Sequence, residues 1–231
     1  VMNKQRENVY TLRRELLDGQ VHWDDEVLDS RQYLLTLAED LVDQAVEASC
    51  GRKVDPEDWD VDALKQSVGD LAGLHPDTLE AIDLQDKNPD EMHDALWALV
   101  KTRYEEKEQT VEADVLRRVE RDVMLQIVDT QWKDHLYSLD HLKEGIGLRG
   151  YAQKDPLVEY KRESFELFQA MKVRIDSEMV RYLWRLRPVP QDEGGADRPA
   201  RRRRAPVTLN DPSAVFAGAP AAVRRPQPTR T

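Results

Sequence analysis

The chain has 231 residues, 40% of them hydrophobic and 34% charged, with a net charge of −11. That length accommodates one or two domains, and the apolar content suits helical packing with large solvated faces better than a thick globular core. No apolar run approaches the roughly 20 residues of a membrane-spanning helix, the opening Val1-Met2-Asn3-Lys4-Gln5-Arg6 has no secretory h-region, and the single Cys50 excludes an internal disulfide, so a reduced cytoplasmic setting is expected.

The first segment reads as a helix entered in the middle. Val9, Leu12 and Leu16 share a face, Lys4, Arg6, Arg13 and Arg14 decorate the others, and Gly19 is a natural stop. No cap precedes Val1, which predicts a helix beginning upstream and a truncated chain. From Val21 to about Gln109 the pattern shifts to shorter helices, with no convincing strand. Ser30 can cap a helix carrying Leu34, Leu37, Leu41 and Ala45, ending near Cys50-Gly51. Asp60 can cap a second with Val61, Leu64, Val68 and Leu71. Asn88-Pro89 opens a third, with Met92, Leu96, Leu99 and Val100 inward.

Thr110 to Glu144 reads as the first long helix. Leu116, Val119, Val123, Ile127 and Val128 form its stripe, and Trp132, Leu136, Leu139 and Leu142 continue it. A glycine-rich loop follows, Gly145-Ile146-Gly147-Leu148-Arg149-Gly150-Tyr151-Ala152-Gln153-Lys154. Asp155 caps a second long helix with Pro156 at its first position. Tyr160, Ser164, Phe168, Met171, Ile175, Met179, Tyr182 and Leu186 step along it by threes and fours, the seam of two helices packed side by side. Two helices of about 30 residues reach about 45 Å each. The short loop makes them antiparallel, so the expected shape is a stiff finger with Tyr151 near its tip.

After Arg187 prolines at 188, 190, 199, 206, 212, 220, 226 and 228 forbid regular helix, and 188–231 reads as a disordered Pro/Arg-rich tail. The tail holds eight Arg against Asp192, Glu193, Asp197 and Asp211, a net +4 that leaves −15 on the body. So acidic a body argues against nucleic-acid binding. Arg201-Arg202-Arg203-Arg204 is either a solvated charge run or a weak, salt-sensitive contact for anionic lipid head groups or RNA.

No complete catalytic site emerges. There is no phosphate-cradling Gly-x-x-x-x-Gly-Lys-Ser/Thr loop. Gly145-x-Gly147-x-x-Gly150 follows a helix rather than a strand, so it is no dinucleotide fingerprint. His135 and His141 lie six apart, on different helix faces, and read as solvated polar positions rather than a metal pair. His22, His75 and His93 lie near turns or on an exposed face with nothing pairing them. Cys50 reads as a small, semi-buried residue near a helix end, and Asp129 with Lys133 as an ordinary surface pair. Trp132 has two readings, core packing on the stripe, which its position favours, or an anchor for interdomain packing, and one large ring could do both. Tyr151 has two readings, gripping peptide surfaces from an exposed tip or folding back on its own hairpin.

Several runs resemble a known family: Met2-Asn3-Lys4-Gln5-Arg6-Glu7, Asp129-Thr130-Gln131-Trp132-Lys133-Asp134-His135-Leu136, and above all Asp140-His141-Leu142 through Asp155-Pro156 with Glu159-Tyr160-Lys161-Arg162-Glu163 after it. Over roughly residues 1–187 the chain resembles SecA, the bacterial protein-translocation ATPase, with a looser match of layout across the middle. The resemblance implies an all-α protein in which 1–19 end a long scaffold helix, 20–109 form a helical wing, and 110–187 form a second scaffold helix and a two-helix finger. It places Tyr151 on the fingertip, with Arg149, Gly150 and Lys154 in the flanking loop. It implies a SecY-type channel and a translocating preprotein as partners, with motor domains of the same parent chain supplying ATP and magnesium sites before Val1 and no cofactor in this chain. It further implies peripheral association with the inner face of the cell membrane. The family's Cys-rich zinc motif has no counterpart after Cys50. A free-standing helical adaptor without a motor is the competing reading.

Overall fold

A computed structural model of the chain describes residues 1–51, 55–84, 87–147 and 155–187. These all fall in one unit, Val1–Val189. The tip-loop residues 148–154 and the tail from 188 lie outside them.

Helix α1 runs Met2–Asp18 and ends where expected. Gly19 takes φ 71° and its N–H reaches back to the carbonyls of Glu15 and Leu16, a left-handed stop open to glycine at little cost. The all-α class holds, but one short segment departs from the expectation of no strand. Gln20–Trp23 (β1) and Glu26–Asp29 (β2) pair antiparallel, with Val21 opposite Leu28 and Trp23 opposite Glu26. Asp24 makes the turn at φ 51°, a conformation Asp tolerates better than most residues. With four residues per strand, only Val21 and Leu28 point inward to be buried, too few to establish a period of two in the sequence. Everything else described is helical or turn.

Four helices follow. α2 (Ser30–Cys50) is capped by Asp29 rather than Ser30. The Asp29 carboxylate accepts from the Gln32 N–H at 2.8 Å and the Gln32 side chain accepts from the Asp29 N–H at 3.1 Å, a reciprocal capping box. Cys50 is fully buried at its last position. After a single 3₁₀ turn at Pro56–Asp58, α3 (Val61–Ala72) is capped by Asp60 and buries Leu64, Val68, Leu71 and Ala72. α4 (Pro76–Glu80) is short. α5 (Pro89–Thr110) opens on Asn88, whose capping box with Glu91 follows the expected Asn-Pro start. It buries Met92, Leu96 and Val100, with Leu99 only partly covered. α2 lies against both α3 and α5.

Val111 and Glu112 separate α5 from the two long helices, α6 (Ala113–Gly145, 33 residues) and α7 (Pro156–Arg185, 30 residues). Asp155 caps α7 by accepting from the Leu157 N–H at 2.9 Å. The two run antiparallel: Gln131 donates to Glu178 at 2.9 Å, while His135, further along α6, faces Phe168, earlier on α7. The buried stripe of α6 is Leu116, Glu120, Met124, Val128, Trp132, His135 and Leu139. Leu116, Val128, Trp132 and Leu139 of the expected stripe are in it, whereas Val119 is exposed and Val123 and Ile127 are only half-buried. A carboxylate and an imidazole occupy core positions that an apolar pattern skips. On α7 the expected seam holds from Ser164 to Met179, but Tyr182 is 56% exposed while Val180, Leu183 and Trp184 are buried. There α7 meets α2 and α3 as well as α6, so its inward face turns toward a second set of neighbours.

Candidate functional site

Tyr151, Arg149, Gly150 and Lys154, the residues expected at a fingertip, lie outside the described residues. The described structure shows the two long helices α6 and α7 and the joints that hold them. α6 runs to Gly145, and a Cβ added at Gly145 or Gly147 would meet nothing within 4 Å. Trp132 is 9% exposed and sits in the core, its ring 5.5 Å from that of His135.

The first joint ties α1 to both arms. Gln5 on α1 is buried, and its amide Nε2 donates to the backbone carbonyl of Ser164 on α7 at 3.0 Å. Its Oε1 faces Nε2 of His135 on α6 at 3.1 Å. The Ser164 oxygen can only accept, which fixes the amide orientation, so the imidazole must carry its proton on Nε2. His135 is 1% exposed, contrary to the solvated position expected, and its ring lies between Trp132 and Phe168, 5.5 and 5.6 Å away. Burial, with Arg174 adding to it, holds the imidazole below the usual histidine range. Its Nδ1 is buried without a hydrogen-bond partner. Further along, Asp129 engages Arg13 of α1 at 2.9 and 3.2 Å instead of making the within-helix pair with Lys133.

The second joint lies where α5 breaks into α6. Glu120 is 1% exposed. It accepts from the Tyr104 hydroxyl at 2.8 Å and pairs with Arg117, which also reaches Tyr104 and Glu108. Arg31 of α2 closes the network on Glu108 at 3.0 Å. Lys107 donates to the carbonyl of Leu183 near the end of α7. Burial draws its amine down to about 8, opposed by Glu120. Burial pushes the Glu120 carboxyl up, while Tyr104, Arg117 and Lys107 pull the other way. Trp184 adds a neutral tie, its indole N–H donating to the Val100 carbonyl at 2.9 Å while its ring lies 5.0 Å from Tyr104. Tyr104, Glu108, Lys107 and Val100 of α5 each meet a partner on α6 or α7, while Arg31 ties α2 to α5. The joint therefore fixes the 89–110 helix against the hairpin, as buried, mutually satisfied charges do.

A family model described as the SecA wing and scaffold domain matches residues 1–187. The chain belongs to this SecA family. Among SecA relatives, the protein translocase subunit SecA of Solibacter usitatus is 41% identical over 206 residues, covering 85% of this chain and 20% of that protein. That of Koribacter versatilis is 41% identical over 213 residues, covering 91% and 20%. That of Syntrophobacter fumaroxidans is 37% identical over 237 residues, covering 94% and 27%. The chain thus spans about a fifth to a quarter of the SecA proteins it matches. No helix among the described residues is long and apolar enough to cross a membrane.

Within this SecA portion His141 is exposed as expected, and His22 and His75 lie exposed beside turns as expected, but the three histidines expected to be unpaired do find partners. His22, His75 and His93 each sit beside a carboxylate, Glu15 at 2.8 Å, Asp77 at 3.2 Å and Asp94 at 3.4 Å. Among the described residues no group of His, Cys, Asp or Glu is arranged to hold a metal ion. Sequence reasoning missed both joints. A usable signal existed for one of them: 116, 120, 124, 128, 132, 135 and 139 step by fours and a three, and only the polar identities of Glu120 and His135 hid that stripe. Nothing in the local pattern marked Gln5.

Proposed function

We propose that this chain is the wing, scaffold and two-helix-finger part of an ATP-driven protein translocase and that its work is mechanical. Motor domains elsewhere in the parent chain, with ATP and magnesium, would move α1 and the wing. The finger would follow and push a preprotein at a SecY-type channel on the inner face of the cell membrane. Tyr151 at the tip would engage the moving polypeptide through its large apolar face and hydroxyl, with Arg149, Gly150 and Lys154 shaping and charging the loop. Trp132 serves interdomain packing, and the arginine-rich tail adds a weak contact to anionic lipid.

The observation that carries this reading is the antiparallel pairing of α6 and α7, two helices of 33 and 30 residues joined to α1 at one level and to the wing at another. A rod held at two places transmits displacement along its length. Membership of the SecA family supports the assignment of that displacement to protein translocation. In the full-length parent, Tyr151→Ala is expected to retain basal ATP hydrolysis and to lose most preprotein transport into membrane vesicles. Transport at the parent rate removes the role given to Tyr151.

A further inference from the structure

We propose that Gln5 and His135 are positioning residues that set the axial register of α1 against the α6–α7 hairpin, so that movement of α1 reaches both arms together. The use assigned to that movement rests on the mechanical reading above, while the register itself is a property of this chain.

Three observations combine. First, the residues that α1 buries are Gln5, Val9 and Leu16. Apolar contacts tolerate sliding, since a shift of one turn, about 5.4 Å, offers another apolar surface. The Gln5 amide does not. It needs an acceptor and a donor at fixed points, and it finds them on two different helices at 3.0 and 3.1 Å. Second, Ser164 is fully buried and its small side chain turns back to its own helix, donating to the Lys161 carbonyl at 3.1 Å. That leaves the Ser164 carbonyl open to α1. Third, His135 is a poor choice for stability alone. Its Nδ1 is buried and unpartnered, which costs more than an apolar ring of the same shape would. What the imidazole supplies and a phenyl ring cannot is the directed Nε2–H toward Gln5. The salt bridge from Arg13 to Asp129 lies two turns away on the same pair of helices. It is exposed and long-armed, so it follows a shift rather than opposing one.

The test reads register directly on this chain. One cysteine pair, Arg13→Cys with Asp129→Cys, spans the observed contact. A second, Leu17→Cys with Asp129→Cys, reports a displacement of one turn. With Gln5 and His135 present, the first pair is expected to cross-link and the second to stay reduced. Combining His135→Phe with Gln5→Leu is expected to raise the displaced cross-link about tenfold, the change in population that 1.4 kcal/mol gives. The exchanged pair Gln5→His with His135→Gln, which restores a donor and an acceptor, is expected to return it to the parent level. Displaced cross-linking that does not respond to either variant overturns the proposal. If the doubly apolar variant does not fold, imidazole nitrogen NMR on the parent decides: a proton on Nε2 with bare Nδ1 at pH 8 supports the pin, and a proton on Nδ1 overturns it. Failure of the Tyr151 transport experiment leaves these outcomes unchanged, and a failed cross-link leaves that experiment unchanged, so the two readings fall separately.

Discussion

Gln5 and His135 are 130 residues apart in sequence, and 3.1 Å separates the Gln5 oxygen from the His135 ring nitrogen. Neither residue type is favoured in a core; the Gln5 amide is satisfied by the Ser164 carbonyl and by His135 Nε2, and His135 gains a partner at Nε2 alone. This contact joins the first helix to a hairpin that begins more than a hundred residues later.

The first prediction concerns acid. The imidazole of His135 is held below its ordinary value of 6.5 by burial and by Arg174. The folded protein therefore takes up this proton less readily than the unfolded chain. Its contribution is complete above pH 6.5 and declines as pH falls below it. Measured by urea unfolding from pH 8 to pH 5, the parent should lose more stability than His135→Phe does. Parallel curves would show that the group titrates normally.

Asp176 carries the opposite sign. Burial, with Asp40 adding and Lys172 opposing, raises its carboxyl to about 6. A raised carboxyl stabilises in its protonated form, a contribution that is full below 3.8 and lost as pH rises through about 6. At pH 8 the ionised group sits half-buried on α7. Asp176→Asn is expected to stabilise by about 1–2 kcal/mol at pH 8, since one pKa unit is worth about 1.4 kcal/mol and the group is partly solvated. That gain should shrink steadily below pH 6. A destabilised variant at pH 8 would contradict this account.

At the joint between α5 and α6, Tyr104→Phe keeps the ring beside Trp184 but removes a donor from the buried Glu120 carboxylate. A loss of about 1–2 kcal/mol is expected, the cost of an under-satisfied buried acceptor. The denaturant midpoint should fall with an unchanged slope, since the exposed area is the same. A neutral result would mean that Arg117 alone suffices.

Two glycines should respond oppositely to alanine. Gly73 ends α3 at φ +60°, and a Cβ there would meet Cγ of Arg185 at 2.8 Å. Arg185 is itself held by the Asp70 carbonyl at 2.6 Å. Gly73→Ala should therefore destabilise by about 1–2 kcal/mol. Gly145, within the last turn of α6, has open space where its Cβ would go. Gly145→Ala should stabilise by up to about 1 kcal/mol. Thermal unfolding of the two variants side by side checks both signs.

The parts of this protein legible in its sequence are those governed by neighbours along the chain. Asp60, Asn88-Pro89 and Asp155-Pro156 start helices, and Gly19 stops one, because a cap acts within three or four residues. Ser164, Phe168, Met171, Ile175 and Met179 declare the α7 seam because apolar spacing alone defines a buried face. The family runs from Asp129 to Glu163 likewise stand in the sequence itself. Tertiary structure decided what depends on partners far away. It placed Glu120, His135 and Gln5 inside, turned Tyr182 outward where α7 meets α2 and α3, gave Asp129 to Arg13, and folded Gln20–Asp29 into a ribbon. The physical reason is the same each time. A polar group's burial becomes affordable only when a partner meets it, and a two-strand ribbon holds only when another surface covers its few apolar side chains, so neither outcome is written in the local pattern.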